Sequence, residues 1–296
     1  MKAFCLLCFF VNLLRITDMQ LIENQTFDKE REFYGSDGIT IRNCVFEGEA
    51  DGESAFKESK NVTVSDCLWR LCYPFWHDDG IKITGTELTD TCRAALWYSR
   101  DIEIRDSKLH GTKALRECEN VSIENTSVIS AEFGWSVDNI TVKNSEFSGE
   151  YFMLRSSGLH FDGAKLEGKY SFQYITDATF ENCVFNTKDA FWHAKNVVVR
   201  NSVINGEYLA WYAENVTFEN CIISGTQPLC YCKGLKLINC EMHGADLSFE
   251  KSSVDATLTA PIISIKNPKS GYINIPAVVD IIMDDPDSTC VIEISD

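Results

Sequence analysis

The chain has 296 residues, more than one compact globular core commonly needs, so its length predicts either two domains or one elongated repeat array. Its 45% hydrophobic and 11% aromatic residues exclude intrinsic disorder. The 44 acidic against 27 basic residues give a net charge of −17, which repels phosphate backbones and anionic bilayers. We therefore expect neither a nucleic acid nor a membrane as a partner.

The chain begins with an apolar run over residues 1–14 that is too short to span a bilayer and lacks a following small-residue cleavage site. Residues 1–18 are therefore predicted either as a signal-like segment or as a spurious N-terminal extension. Thirteen cysteines without a framework of pairs indicate reduced, buried thiols, which favour the cytoplasm. A genuine signal in residues 1–18 would instead mean secretion.

A repeat of 19 residues runs through the middle of the chain. From Asp101 to Gly234 similar strings start every 19 residues, and positions 1 to 19 are counted here from the first residue of each unit, for example Asn196. Positions 2 and 4 are apolar, position 6 is a polar turn residue, and positions 7 and 9 form a second short strand. A third strand closes the unit.

Three short strands per unit cannot each bury a face alone, so they are buried by stacking on their copies in neighbouring units. The sequence predicts an all-β fold, a right-handed parallel β-helix (solenoid) of about 11 rungs over residues 38–252. Residues 19–37 are predicted as an N-terminal cap and residues 253–296 as a C-terminal cap, because a solenoid needs its ends covered. The side-chain amides at position 6 are predicted to form a ladder along the solenoid.

The third strand of each unit is the richest in aromatic residues, with Phe or Leu common at position 15 and Trp common at position 16. Since neighbouring strand residues point to opposite faces, both positions cannot be buried. Burying the even positions places fewer charged side chains in the core than burying the odd ones, and buried charges are costly. We therefore predict that positions 13, 15 and 17 face outward.

This outward face is predicted to be an aromatic strip larger than the apolar patches of most monomers, which is typical of a binding surface. Aromatic planes at rung spacing suit a chain of sugar rings, so we expect an oligo- or polysaccharide ligand. The predicted substrate-binding residues are Phe75, Tyr98, Arg116, Glu117, Tyr151, Arg155, Phe172, Tyr174, Asp189, Phe191, His193, Tyr208 and Tyr212. The two arginines could pair with uronate carboxylates. The alternative is that a terminal segment or a second subunit of a homo-oligomer covers the strip, in a non-catalytic structural or interaction protein.

The best candidate for catalysis is the cluster of His77, Asp78 and Asp79, with Glu58 one rung away. The histidine could serve as a base and the carboxylates as acids, or as calcium ligands in a lyase. No other cofactor and no metal site is predicted, and an adjacent pair of aspartates is more often a solvated turn. The sequence leaves open whether the chain is an enzyme. If it is one, we expect a polysaccharide lyase or a glycoside hydrolase.

Many strings, among them YPFWH, CRAALWYS, TKDAFWH, GEYLAWY and SIKNPKSG, resemble the uncharacterised bacterial family called domain of unknown function 3737, nearly throughout residues 19–285. The resemblance implies the pectin-lyase-like right-handed β-helix that its members are taken to adopt, and it implies no activity. Polygalacturonases of the wider superfamily resemble this chain only at Asp78-Asp79. Their Asn-Thr-Asp, Gly-His-Gly and Arg-Ile-Lys motifs are absent, which places hydrolase chemistry in doubt.

Overall fold

The computed structural model describes residues 20–48 and 53–295. Residues 1–18, predicted as a signal-like or spurious extension, lie outside the described residues. The described chain is all β and forms a parallel solenoid of about 14 turns, here called coils, at a spacing of about 19 residues. Within those two described ranges, no helix has the length and apolarity that crossing a bilayer requires.

Both segments assigned to caps contribute coils to the solenoid. Gln20–Glu23 pairs in parallel register with Ile39–Arg42 at the N-terminal end. At the other end Ser253–Leu258 pairs with Ser270–Ile275, which in turn pairs with Val291–Ile294. The predicted count of about 11 rungs is too low because it leaves these terminal coils out.

Positions 1 to 5 of the coils form the first sheet. Its strands are Gln20–Glu23, Ile39–Arg42, Lys60–Ser65, Asp79–Thr84, Arg100–Arg105, Glu119–Glu124, Asp138–Lys143, Ser157–Asp162, Thr176–Glu181, Lys195–Arg200, Glu214–Glu219, Leu235–His243, Ser253–Leu258, Ser270–Ile275 and Val291–Ile294. Every pairing between them is parallel and joins successive coils, so columns of equivalent positions run along the axis.

The second sheet begins after the turn at position 6. Its strands are Thr26–Phe27, Val45–Phe46, Leu68–Trp69, Glu87–Leu88, Lys108–Leu109, Ser127–Ile129, Glu146–Glu150, Lys165–Lys169, Val184–Lys188, Val203–Asn205 and Ile222–Ser224, and Leu235–His243 continues into it. The third side, positions 12 to 19, has regular strands only at Phe75–Trp76, Leu96–Trp97, Leu115–Arg116, Ile262–Lys266 and Val278–Ile282. In the coils between residues 150 and 231 the third side consists of turns.

The core is filled from positions 2, 4, 7, 9, 14, 15 and 18. In the unit that starts at Asn196 the buried side chains at these positions are Val197, Val199, Ser202, Ile204, Leu209, Ala210 and Ala213. Equivalent side chains stack along the axis, as the rings of Phe172 and Phe191 do with centroids 5.0 Å apart. Stacking like on like buries each apolar column continuously and is what holds the coils together.

Asparagine and aspartate turn the chain at two corners, positions 1 and 6, where the backbone has positive φ. The predicted amide ladder at position 6 is present, with the Asn239 Nδ2 group donating to Asn220 Oδ1 at 2.8 Å. A second ladder at position 1 was not predicted; there Asn139 Nδ2 donates to Asn120 Oδ1 at 2.9 Å. These ladders hold both corners in register.

Hydroxyl and thiol groups inside the corners satisfy backbone groups that the turns leave without a strand partner. The Thr126 N–H donates to Ser145 Oγ of the next coil at 3.1 Å, and that hydroxyl donates to the Lys143 carbonyl oxygen at 2.8 Å. In the same way, the thiol of Cys221 donates to the Glu219 carbonyl oxygen and that of Cys240 to the Phe218 carbonyl oxygen. Both cysteines are free of disulfide bonds. Small polar side chains therefore recur at this buried position because the backbone needs them.

Candidate functional site

The third side does not alternate as a strand does. Phe75, Phe172 and Phe191 at position 15, which we predicted to face outward, have 0% exposure and lie in the core. The prediction was wrong for this column. Trp192 and Trp211 at position 16, predicted inward, are half-buried at the surface. Side chains at positions 14 and 15 point into the core, and those at the next two positions, 16 and 17, lie at the surface.

Left-handed backbone conformations cause this pattern. Tyr208, Ala210 and Tyr212, at positions 13, 15 and 17 of one coil, have φ of 57°, 56° and 60°. The Ala213 N–H donates to the Ala210 carbonyl oxygen at 3.2 Å, which closes a turn with positive φ at its third residue. Alternation holds only for a continuous β conformation. Bulky side chains rarely adopt positive φ, and such strained residues cluster at functional sites.

The tryptophans are hydrogen-bonded to the backbone of the next coil. Trp211 Nε1 donates to the Gln227 carbonyl oxygen and Trp192 Nε1 to that of Tyr208, both at 2.7 Å, so each indole reaches sideways to position 13 of the next coil. The Trp211 ring plane lies 78° from the rings of both Tyr208 and Tyr212. The Trp192 and Trp211 rings stack on each other at 4°, with centroids 5.5 Å apart, and both side chains are half-buried, so part of each indole reaches solvent.

Two columns of rings flank these indoles. On one side four rings at position 17 stack face to face with centroids 4.8 to 5.1 Å apart: Tyr174, His193, Tyr212 and Tyr231. On the other side, at position 13, Tyr151 and Tyr170 stack at 5.0 Å. Stacked rings cover one another's faces and present their edges and hydroxyl groups to solvent. We call this surface, from Tyr151 to Tyr231, the aromatic trough: a floor from position 16 and walls from positions 13 and 17.

Asp189 replaces a tyrosine in the position 13 wall, and Gln173 replaces a tryptophan in the floor. Gln173 Nε2 donates to the Asp189 carbonyl oxygen at 3.1 Å, the same bond that the indoles make. Asp189 is only 6% exposed, and no donor of the described residues bonds its carboxylate. Burial raises the pKa of this carboxyl, and the Lys188 ammonium opposes the increase.

Before the trough, Trp76 and Trp135 make the same bond to the position 13 carbonyl oxygen of the next coil, but an arginine lies among the tryptophans. The Arg116 guanidinium lies between the rings of Trp97 and Trp135, 5.1 and 4.9 Å from their centroids. Trp97 is turned nearly parallel to Tyr98, at 16°, and its Nε1 group is buried without a hydrogen-bond partner. Here the indole faces are covered by a cation of the chain itself.

The residues predicted for catalysis do not converge on one point. His77 stacks on Tyr98 at 5.0 Å on the outside, and Glu58 accepts a hydrogen bond from the Tyr34 hydroxyl at 2.5 Å. Asp79 is paired with Arg100 at 2.7 Å, and this hydrogen bond lowers the pKa of Asp79. Among the described residues, no group of three or more histidine, cysteine and acidic side chains could hold a metal ion.

Asp78 points into the core, where it has 2% exposure at position 18. Its Oδ1 accepts the Ser59 N–H at 2.9 Å, and its Oδ2 has no hydrogen-bond partner. Burial raises the pKa of Asp78 to about 8. This carboxyl therefore belongs to the column of small hydroxyl and thiol groups, out of reach of a ligand on the surface.

Nine of the predicted substrate-binding residues have outward side chains: Tyr98, Arg116, Glu117, Tyr151, Arg155, Tyr174, His193, Tyr208 and Tyr212. The residues from Tyr151 onward lie in the trough or at its end, and the other three lie in the coils before it. Sequence reasoning missed the floor, Trp192, Trp211 and Gln173. The sequence does contain a signal for the floor, namely the recurrent tryptophan at position 16. Strand alternation, which we assumed for the third side, assigned that column to the core.

The family model "Protein of unknown function (DUF3737)" matches residues 20–294. Curated proteins give no match to the chain. Three solved structures are similar to it over most of its length. The Azotobacter vinelandii mannuronan C-5 epimerase AlgE4 A-module has a TM-score of 0.43 and 10% identity, covering 80% of this chain and 89% of its own.

The second is PfbA, a surface adhesin of Streptococcus pneumoniae, with a TM-score of 0.22, 11% identity and coverage of 85% of this chain and 71% of its own. The third is QnrB1, a plasmid-mediated fluoroquinolone resistance protein, with a TM-score of 0.19, 13% identity and coverage of 80% and 89%. At TM-scores below 0.5 these likenesses carry no functional argument.

Proposed function

This chain belongs to the DUF3737 family, and from the geometry of its third side we propose that it binds an oligo- or polysaccharide along the aromatic trough. The observation that carries the proposal is the floor of two stacked, half-buried indoles, Trp192 and Trp211, each held in place by a hydrogen bond to the backbone. A sugar ring has an apolar face of C–H groups and a rim of hydroxyl groups. An aromatic face below it and polar ring edges beside it match both parts.

The spacing of the trough suits a chain that runs along the solenoid axis. Wall rings repeat every 4.8 to 5.1 Å, so each coil offers one set of ring edges to a long ligand. Tyr174 and Tyr212 are 49% and 44% exposed, which leaves their hydroxyl groups free to bond a ligand. An apolar site with a few placed polar groups is the common form of a ligand site.

The proposal is binding, without cleavage, since no acid and base converge on the trough. Glycoside hydrolysis needs two carboxyl groups about 5 to 9.5 Å apart across the bond. In the trough, Asp189 is the one carboxyl group in the walls or floor of the described residues up to Tyr231. Lyase or hydrolase activity would therefore require groups outside this surface.

The test is binding of soluble polysaccharides, measured by affinity electrophoresis with a panel of neutral and uronic polymers. Replacing both Trp192 and Trp211 by alanine removes the floor, and we expect binding to fall at least about 100-fold because two stacking faces are lost. Ile222→Ala, an exposed residue on the second sheet, is the matched control and should bind as the parent does.

The alternative function of the aromatic trough is to form a subunit interface. Light scattering of the parent and of the tryptophan double variant separates the two. A monomeric parent that binds a polymer supports the proposal. A dimer that dissociates in the double variant, with no polymer bound by either protein, overturns it.

A further inference from the structure

Asp189 leaves a slot in the wall of the trough. Position 13 reads Tyr151, Tyr170, Asp189 and Tyr208 in four successive coils. Tyr151 and Tyr170 stack with centroids 5.0 Å apart. Tyr170 and Tyr208 are two coils apart, about 9.6 Å at the usual spacing of neighbouring strands. The slot between them has the height of one ring, and Asp189 forms its base.

The floor beside the slot is fixed by two hydrogen bonds. Gln173 Nε2 donates to the Asp189 carbonyl oxygen at 3.1 Å, and Trp192 Nε1 donates to the Tyr208 carbonyl oxygen at 2.7 Å. The Trp192 indole therefore ends at the slot. A sugar ring stacked on that indole would turn one edge toward the Asp189 carboxyl.

The Asp189 carboxyl is prepared to accept hydrogen bonds that the chain does not supply. The residue is only 6% exposed, and no described donor bonds its carboxyl oxygens. The nearby Lys188 ammonium is instead directed to Glu207 Oε2, at 2.8 Å. Glu132, the acid at position 13 of an earlier coil, is paired with Lys113 and Arg116. The Asp189 carboxyl therefore keeps its acceptor sites free for the hydroxyl groups of a ligand.

We propose that Asp189 is the specificity-determining residue of the trough and accepts hydrogen bonds from two neighbouring hydroxyl groups of the sugar that stacks on Trp192. The inference rests on the proposed function and adds the ligand class. Two vicinal hydroxyl groups match the two oxygens of one carboxylate. A uronate would place its own carboxylate against this group, so the preferred ligand is a neutral hexose polymer with a free diol.

The test compares the parent, Asp189→Asn and Glu132→Gln by calorimetry on hexasaccharides of β-1,4-linked glucose, galactose, mannose and N-acetylglucosamine. Asparagine keeps the size of the side chain and tolerates the positive φ of 56° at this position. We expect Asp189→Asn to bind the preferred hexasaccharide at least about 10-fold more weakly, because a charged acceptor is lost. Its preference between epimers should shrink by a similar factor, and Glu132→Gln should match the parent.

Each other outcome decides against the inference. Unchanged binding, or an equal loss on all four sugars, would show that Asp189 does not read the hydroxyl groups, although the trough would still bind sugar. A parent that binds none of the hexasaccharides or polymers would remove the proposed function together with the inference. Circular dichroism of each variant confirms that the fold is intact before binding is compared.

Discussion

Two regions of the third side use the same 19-residue template with opposite results. In the trough the indoles of Trp192 and Trp211 stack on each other, and no cation of the described residues lies over them. In the earlier coils Arg116 fills the space between Trp97 and Trp135 and covers both rings. The two regions differ in backbone, since position 15 lies in short strands in the earlier coils and has positive φ in the trough, and they differ in the side chain at position 16. Under the proposed function, the comparison teaches that an aromatic column can serve as a ligand site only where no cation of the chain covers its rings.

The two regions also differ beneath the surface, at position 18. Ala194 and Ala213 fill this column under the trough, and both are fully buried. In the earlier region the column holds Asp78, whose Oδ2 has no partner. The earlier region therefore carries a buried acid at position 18, where these two coils of the trough have alanine.

The largest effect we expect is on the pH dependence of the earlier region. Folding raises the pKa of Asp78 from 3.8 to about 8, so between these values the unfolded chain binds fewer protons than the folded chain. Stability falls as pH rises through this window, by about 6 kcal/mol in total at 1.36 kcal/mol per pKa unit. Asp78→Asn should remove this fall. The measurement is urea unfolding of both proteins from pH 4 to pH 9.

The difference between parent and variant isolates Asp78, because all other groups titrate alike in both. Hydrogen exchange should show the loss of protection at pH 9 in residues 53–100 of the parent, and not in the coils of the trough. Parallel stability curves for the two proteins would contradict the assignment. Ala194→Ser, in the same column under the trough, is the control and should leave the pH dependence unchanged.

The next effect concerns the buried phenylalanines, and it should be equal in both regions. Phe75→Ala and Phe191→Ala each remove a fully buried ring from the column at position 15, and each should lower the free energy of unfolding by about 4 kcal/mol. Trp192→Ala, next to Phe191 and half-buried, should cost only about 1 to 2 kcal/mol. Chemical denaturation followed by circular dichroism measures all three. A larger loss for Trp192→Ala would mean that the indole, and not the phenylalanine, is part of the core.

The sequence predicted the solenoid well because its first two strands follow simple periodicity. Val197 and Val199 alternate with polar residues as a strand requires, and the asparagine ladder follows from the repeat itself. The third side failed because its geometry depends on positive φ at residues such as Tyr208 and Phe191, which residue type does not reveal. These bulky residues are forced into that conformation by the coils around them. The wall residues were found in spite of this, since positions 13 and 17 face outward in either geometry.

The smallest effect should come from the cation that closes the earlier region. Arg116→Lys keeps the charge and loses the planar group between Trp97 and Trp135, so we expect a loss of about 1 kcal/mol in unfolding free energy. Tryptophan emission should move to longer wavelength, because the two indoles gain contact with water. Arg155→Lys, an exposed arginine for which no described side chain is a partner, is the matched control and should change neither quantity.

If Arg116→Lys also strengthens polymer binding by the earlier coils, then a single side chain does separate the closed region from the open trough. An unchanged emission spectrum would show instead that the guanidinium does not shield these rings in solution.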